Sequence, residues 1–143
     1  MTQVDFYTHV DNKTQLACIL SAKALERGRR VMIFTPDTAT TKLLDHMLWT
    51  TPAIGFLPHC HSRDALAEVT PIIIDHAPET FNHDDILLNL TVERPAFFSR
   101  FQRLIEIVTL DENDRQAARE RFRFYRDRGY EIQSHDLSQA RQT

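Results

Sequence analysis

Two hydrophobic patterns alternate along this chain. The first is a short run that is apolar almost throughout: residues 30–35 (RVMIFT), 71–75 (PIIID), 85–90 (DILLNL) and 104–108 (LIEIV). Runs of this length, bounded by turn residues, are what strands buried on both faces display. Residues 4–8 (VDFYT) are shorter but β-prone and read as a first strand. The second pattern has the helical period. Leu16, Ile19, Leu20 and Ala24 recur at that spacing behind a possible cap at Asp11 or Asn12, and Gly28 follows as a stop. This predicts a helix ending near Arg27. Pro36-Asp37 breaks the next strand, and Leu43, Leu44, Met47 and Leu48 predict a second helix over 38–48. Pro95 predicts a short helix, PAFFSRFQ, because proline suits the first helical position. A last helix is predicted over 111–129. Residues 49–58 (WTTPAIGFLP) read as a loop, and the polar residues after Ile132 as a fraying tail, flexible beyond about residue 133.

Strand–helix alternation of this kind predicts an α/β fold, a Rossmann-like three-layer sandwich with a mainly parallel sheet. A length of 143 residues suits one domain spanning residues 1–143. Such sheets commonly bind nucleotides through a glycine-rich turn after a strand. The three glycines here are Gly28, Gly55 and Gly129, and none stands in such a turn. THVDNKTQ follows the first strand, and its side chains would obstruct close approach of a pyrophosphate. No cofactor is therefore expected.

Composition narrows the remaining classes. A net charge of −3 argues against wholesale wrapping of DNA. Two cysteines make no disulfide framework and suit a reducing compartment. The opening MTQVDFYTHV lacks the charged-then-apolar order of a signal peptide, and no apolar run is long enough to span a membrane, so a cytoplasmic location is expected.

A polar cluster, His59-Cys60-His61 with His76, His83, Asp84 and Asp85 downstream, invites a metal or catalytic reading. Adjacent His-Cys-His is not zinc-site spacing, and there is no CxxC. Cys60 has no identifiable orienting partner for nucleophilic chemistry. A polar loop is the simpler reading, with no metal site and no catalytic residues. A metal-dependent hydrolase using His59, His61 and Asp84 ranks behind the binding functions below.

The final helix is chemically distinctive. Six arginines, Arg115, Arg119, Arg121, Arg123, Arg126 and Arg128, are interleaved with Phe122, Phe124 and Tyr125. After the first turn they greatly outnumber Glu120 and Asp127, so pairing within the helix cannot neutralise them. Arg115, Arg119, Phe122 and Arg126 share one stripe, with Arg123 at its edge. The bland alternative is a solvated amphipathic face. Guanidinium forks around an aromatic floor suit a carboxylate-bearing peptide that ends in an apolar residue. They equally suit single-stranded nucleic acid. Trp49 and Phe56 either close the core or form an apolar partner surface.

At these residues the chain resembles the chi subunit family of bacterial DNA polymerase III. The shared features are FYTHVDN, GRRVMIFTPD, LDHMLWTTPAIGFLPH, HDDILLNL and RQAARERFRFYRDRGYEI. The resemblance implies a non-catalytic accessory subunit of the clamp-loader complex with two partners. One is the psi subunit, meeting a surface at Trp49 and Phe56. The other is the acidic C-terminal tail of single-stranded-DNA-binding protein, which ends in Asp-Asp-Asp-Ile/Leu-Pro-Phe-like residues and would bind Arg115, Arg119, Phe122 and Arg123. Relatives often carry tyrosine and lysine where this chain has Phe122 and Arg123, so the ring and the charge are kept and a hydroxyl is lost. In some relatives the psi surface also meets a helicase-family protein. No strong direct DNA contact is implied. The segment 59–68 is shorter than in some relatives.

Overall fold

A computed structural model of the chain describes residues 1–50 and 57–138. In chain order the elements are β1 (Gln3–Val10), α1 (Lys13–Glu26), β2 (Val31–Phe34), α2 (Thr38–Thr50), β3 (His59–His61), β4 (Ile72–Asp75), β5 (Ile86–Asn89), a 3₁₀ turn (Phe98–Arg100), β6 (Arg103–Thr109), α3 (Glu112–Asp127) and β7 (Ile132–Asp136). The strands form one sheet in the order β3-β4-β2-β5-β6-β1-β7. Every pairing is parallel. The parallel α/β expectation therefore holds, and the four apolar runs are the buried inner strands β2, β4, β5 and β6.

Parallel neighbours need crossovers, and here three are helical. α1 and α2 pack on one face, where Ala17, Cys18, Leu44 and Leu48 meet Ile33, Ile72, Leu88 and Ile107. α3 and the 3₁₀ turn cover the other, where Tyr125, Ala118, Phe98 and Phe101 meet Phe6, Leu87 and Leu104. The helix ends follow the capping rules. Asn12 Oδ1 accepts from the Gln15 N–H at 3.0 Å and Asp111 Oδ2 from that of Asp114 at 3.0 Å. Gly28 and Gly129 take φ of 72° and 82° just beyond α1 and α3. There the Arg29 and Tyr130 N–H groups reach back to the Ala24 and Tyr125 carbonyls, closing both helices in Schellman fashion.

Four expectations need correction. Residues 132–136 do not fray; they pair with β1 as β7, an edge strand. His59–His61 is not loop but the opposite edge strand, β3. The segment after Pro95 makes only the 3₁₀ turn. Trp49 belongs to α2, which runs to Thr50.

Candidate functional site

α3 splits its arginines among three environments. Arg121 turns inward and is 4% exposed. Its Nε lies 3.2 Å from Glu106 Oε2 on β6, and its Nη1 donates to the Val92 carbonyl at 2.6 Å. Tyr125 Oη and Asn89 Nδ2 each donate to Glu106 at 2.7 Å. Burial pushes the Glu106 carboxyl upward against the pull of Arg121, Tyr125 and Asn89. Burial, then the Glu106 charge, drives the Tyr125 hydroxyl well above the phenol range. The expectation that α3's arginines lack neutralising partners is thus wrong for Arg121, whose partner comes from the sheet. Arg128 and Arg94 lie over the Phe124 ring, 4.1 and 3.8 Å from its centroid.

The remaining arginines face a groove. A cavity of about 440 Å³ runs between α3 and the β1–β7 edge, lined by Arg115, Arg119, Phe122, Arg123 and Arg126 on the helix side. Phe6, Thr8, His9 and Ser134 line the other side. Phe122 is half-buried and packs edge-to-face on Phe6, centroids 5.4 Å apart. It therefore lines the groove from a fixed position. All four residues named from the sequence for this site converge here, together with Arg126.

The rim is only lightly neutralised. Glu112, itself exposed, lies 3.7 Å from Arg115 and 3.5 Å from Arg119, and Arg126 is 3.3 Å from Asp127. Arg123 makes no ion pair among the described residues. Long, exposed pairs of this kind are weak, and a ligand carboxylate can replace Glu112. α3 is held against the sheet by Asp114, buried at its first turn. Asp114 Oδ2 accepts from the Thr109 N–H (2.8 Å) and hydroxyl (2.9 Å), and Oδ1 from Lys13 (3.0 Å).

Thr8, His9 and Ser134 escaped the sequence reading. β1's alternation could have placed Phe6 and Thr8 on one face. His9 takes φ of 58° where the register between β1 and β6 shifts, and its Nδ1 pairs with Asp136 at 2.8 Å. No local sequence signal marks that bulge or its β7 partner. A larger cavity, about 630 Å³, lies beneath α1, where Leu16, Leu20 and Tyr7 line it. Lys23, Arg27 and Arg29 also line it, together with Asp85 and with Arg103, which is paired to buried Asp5.

At the far side of the sheet, Trp49 is 60% exposed, its ring edge-to-face with His59 at 5.6 Å. Phe56 lies outside the described residues. The polar cluster of the sequence reading divides, with His61 and His76 both beside Asp75 and His83, Asp84 and Asp85 just before β5. His59 Nε2 pairs with Asp45 at 3.0 Å, and His61 Nε2 with Asp75 Oδ1 at 3.0 Å. His83 is held down chiefly by burial, then by the Arg30 charge. In an all-parallel sheet Asp84 precedes the start of β5, whereas His61 closes β3, so the His59–His61–Asp84 hydrolase constellation does not assemble. Burial pushes the Cys60 thiol up, which disfavours a thiolate. Among the described residues no helix is long and apolar enough to cross a membrane.

The model of the family described as DNA polymerase III chi subunit, HolC, matches residues 1–133. A DNA polymerase III subunit chi from Pseudomonas aeruginosa is 39% identical over 141 residues, covering 96% of this chain and 98% of the relative. Proteins of the same description from Haemophilus influenzae and Escherichia coli K12 are each 30% identical. They align over 137 and 132 residues, covering 92% of this chain in both cases and 95% and 88% of the relatives.

Proposed function

Because the chain belongs to the DNA polymerase III chi subunit family, we propose that it is a non-catalytic accessory subunit of the DNA polymerase III holoenzyme that bridges the psi subunit, within the clamp-loader complex, to the acidic tail of single-stranded-DNA-binding protein. The observation that carries this reading is the α3 groove, in which Phe122 is surrounded by Arg115, Arg119, Arg123 and Arg126. A tail ending in an aromatic residue brings an apolar ring and a free carboxylate on adjacent atoms. The ring finds Phe122 and Phe6, and the carboxylate finds guanidinium forks. Upstream aspartates meet the remaining cations along the helix. Single contacts of this type are modest, and several tails on one coated strand raise the effective concentration. The psi subunit is assigned to the Trp49 surface, together with Phe56, because an exposed tryptophan at a helix end supplies the kind of anchor interfaces use.

The test is titration of a tail peptide into the wild-type chain and an Arg119→Ala variant. Loss of a hydrogen bond to a charged group should cost about 1.5–3 kcal/mol, roughly a 10- to 150-fold rise in Kd, with psi binding retained. An unchanged isotherm would remove the groove from the mechanism. Direct binding of single-stranded nucleic acid uses the same cations but draws less support. Phe124 already carries two guanidinium groups, and Phe122 is recessed against Phe6, so exposed rings for base stacking are scarce. Oligonucleotide anisotropy with the purified chain separates the two readings.

A further inference from the structure

The sheet's parallel pairing does something the sequence spacing conceals. β3 runs beside β4 with His61 opposite Ile74, so His61, at the end of β3, lies next to Asp75 and His76, at the end of β4. One ligand atom from each of these three residues lies within 4.8 Å of the others. His61 Nε2 is 3.0 Å and His76 Nδ1 3.8 Å from Asp75 Oδ1. Metal–ligand bonds of about 2.0–2.2 Å in a tetrahedron separate ligand atoms by about 3.4 Å. The observed separations from Asp75 bracket that value, so small side-chain adjustments would close the site.

We propose that His61, Asp75 and His76 form a binding site for a divalent transition metal, zinc fitting best, with the fourth position left to water. Two histidines and one carboxylate are a recognised zinc set. The surroundings orient each donor. Ser62 donates its hydroxyl to Asp75 Oδ2, leaving Oδ1 toward the histidines, where it also accepts from the Ala77 N–H at 3.0 Å. The Thr38 hydroxyl meets His76 Nε2 at 3.4 Å, which leaves Nδ1 as the inward donor. Supports of this kind fix ligand orientation in metal sites. Asp75 is 1% exposed while the His61 and His76 side chains are 38% and 35% exposed, so the carboxylate sits deep and the histidines flank an opening.

A simple His61–Asp75 pair accounts for part of this arrangement but not all. His76 Nδ1 is shielded from solvent and has no hydrogen-bond partner, although it faces a carboxylate oxygen. A bound cation would satisfy it. The Arg63 N–H points at His61 Nδ1 from 3.2 Å, so in the metal-free ring the proton rests on Nε2. Metal binding takes the Nε2 lone pair and places the proton on Nδ1. The Arg63 N–H, in an exposed turn, then turns to water. That exchange gives up the Arg63 contact and the Nε2–H contact to Asp75 Oδ1, and gains coordinate bonds from His61 Nε2 and Asp75 Oδ1. The site lies at the β3 end of the sheet, whereas the arginine groove lies at the β7 end.

The test uses the full-length chain, treated with chelator and dialysed. Zn²⁺ is titrated by calorimetry, and Co²⁺ is followed by the visible bands of a four-coordinate ion. We expect one ion per chain and a melting temperature that rises with free metal. Alanine at His61 or His76 should weaken binding at least tenfold, and His83→Ala should leave it unchanged. Both histidines are partly exposed, so these variants should fold, which circular dichroism checks. The proposal is overturned if neither ion binds, or if the His61→Ala/His76→Ala double variant binds as the wild type does. Tail-peptide affinity should be the same with and without metal, so failure here is distinguishable from failure of the adaptor reading.

Discussion

Arg119 and Arg121 sit two positions apart in α3, about 200° around its axis. One therefore faces the groove and the other the core. Composition cannot separate them; the partner Glu106, on β6, does. Removing one member of a buried ion pair strands the other, at a cost of about 3–5 kcal/mol. Arg121→Met should therefore lower the urea midpoint sharply, and adding Glu106→Gln should recover much of the loss, because the neutral amide no longer needs a cation. A single variant as stable as the wild type would show that the pair contributes nothing. Arg119→Ala, by contrast, should leave the midpoint nearly unchanged, since its Glu112 contact is long and exposed.

At the scale of elements, α3 is positioned by its first turn. Asp111 caps it, and Asp114 ties it to Thr109 and Lys13. Burial alone would raise the Asp114 carboxyl, but the Thr109 and Lys13 contacts outweigh burial and hold it below the usual carboxylate range. A carboxylate lowered in the folded state contributes stability that is complete above the unfolded value and disappears as pH falls through the folded one. Asp75 follows the same direction: burial raises it, and the Ala77, Ser62 and His61 contacts prevail. In denaturant titrations from neutral pH to about pH 2, a wild-type advantage over Asp114→Asn should be full at neutrality and close at the acid end. A gap independent of pH would mean that the carboxylate's charge plays no part.

Element legibility divides along the same physical line. The inner strands were readable because two buried faces demand continuous apolar side chains. β3 (HCH) and β7 (IQSHD) were not, because edge strands leave many side chains partly exposed and gain their place from backbone pairing. β7's place matters to the site, since Ser134 and the Asp136 partner of His9 come from it.

On the scale of the whole molecule, a chain of net charge −3 presents a local cation cluster at one sheet edge and an exposed Trp49 on α2, which packs against β3 and β4 at the other. Because the groove is open, its attraction for an acidic tail should be screened by salt, over about 10 Å at 0.1 M. Tail affinity should fall severalfold between low and moderately high ionic strength, mostly through slower association; a salt-independent Kd would argue for apolar contact alone. Trp49→Ala should weaken psi binding and leave tail-peptide titrations unchanged, because the two surfaces share no residue. Loss of both together would place them on one surface.

By itself the sequence determined the parallel α/β class, the three long helices and the arginine–phenylalanine stripe. These are local matters, decided by periodicity, caps and residue type within one or two turns of chain. Tertiary structure alone decided which arginine is neutralised, that Phe6, Thr8, His9 and Ser134 form the groove's second wall, and that His61 meets Asp75 and His76. Each of those depends on which strands become neighbours, a choice made by burial and hydrogen bonding over the whole sheet rather than by any stretch of residues within it.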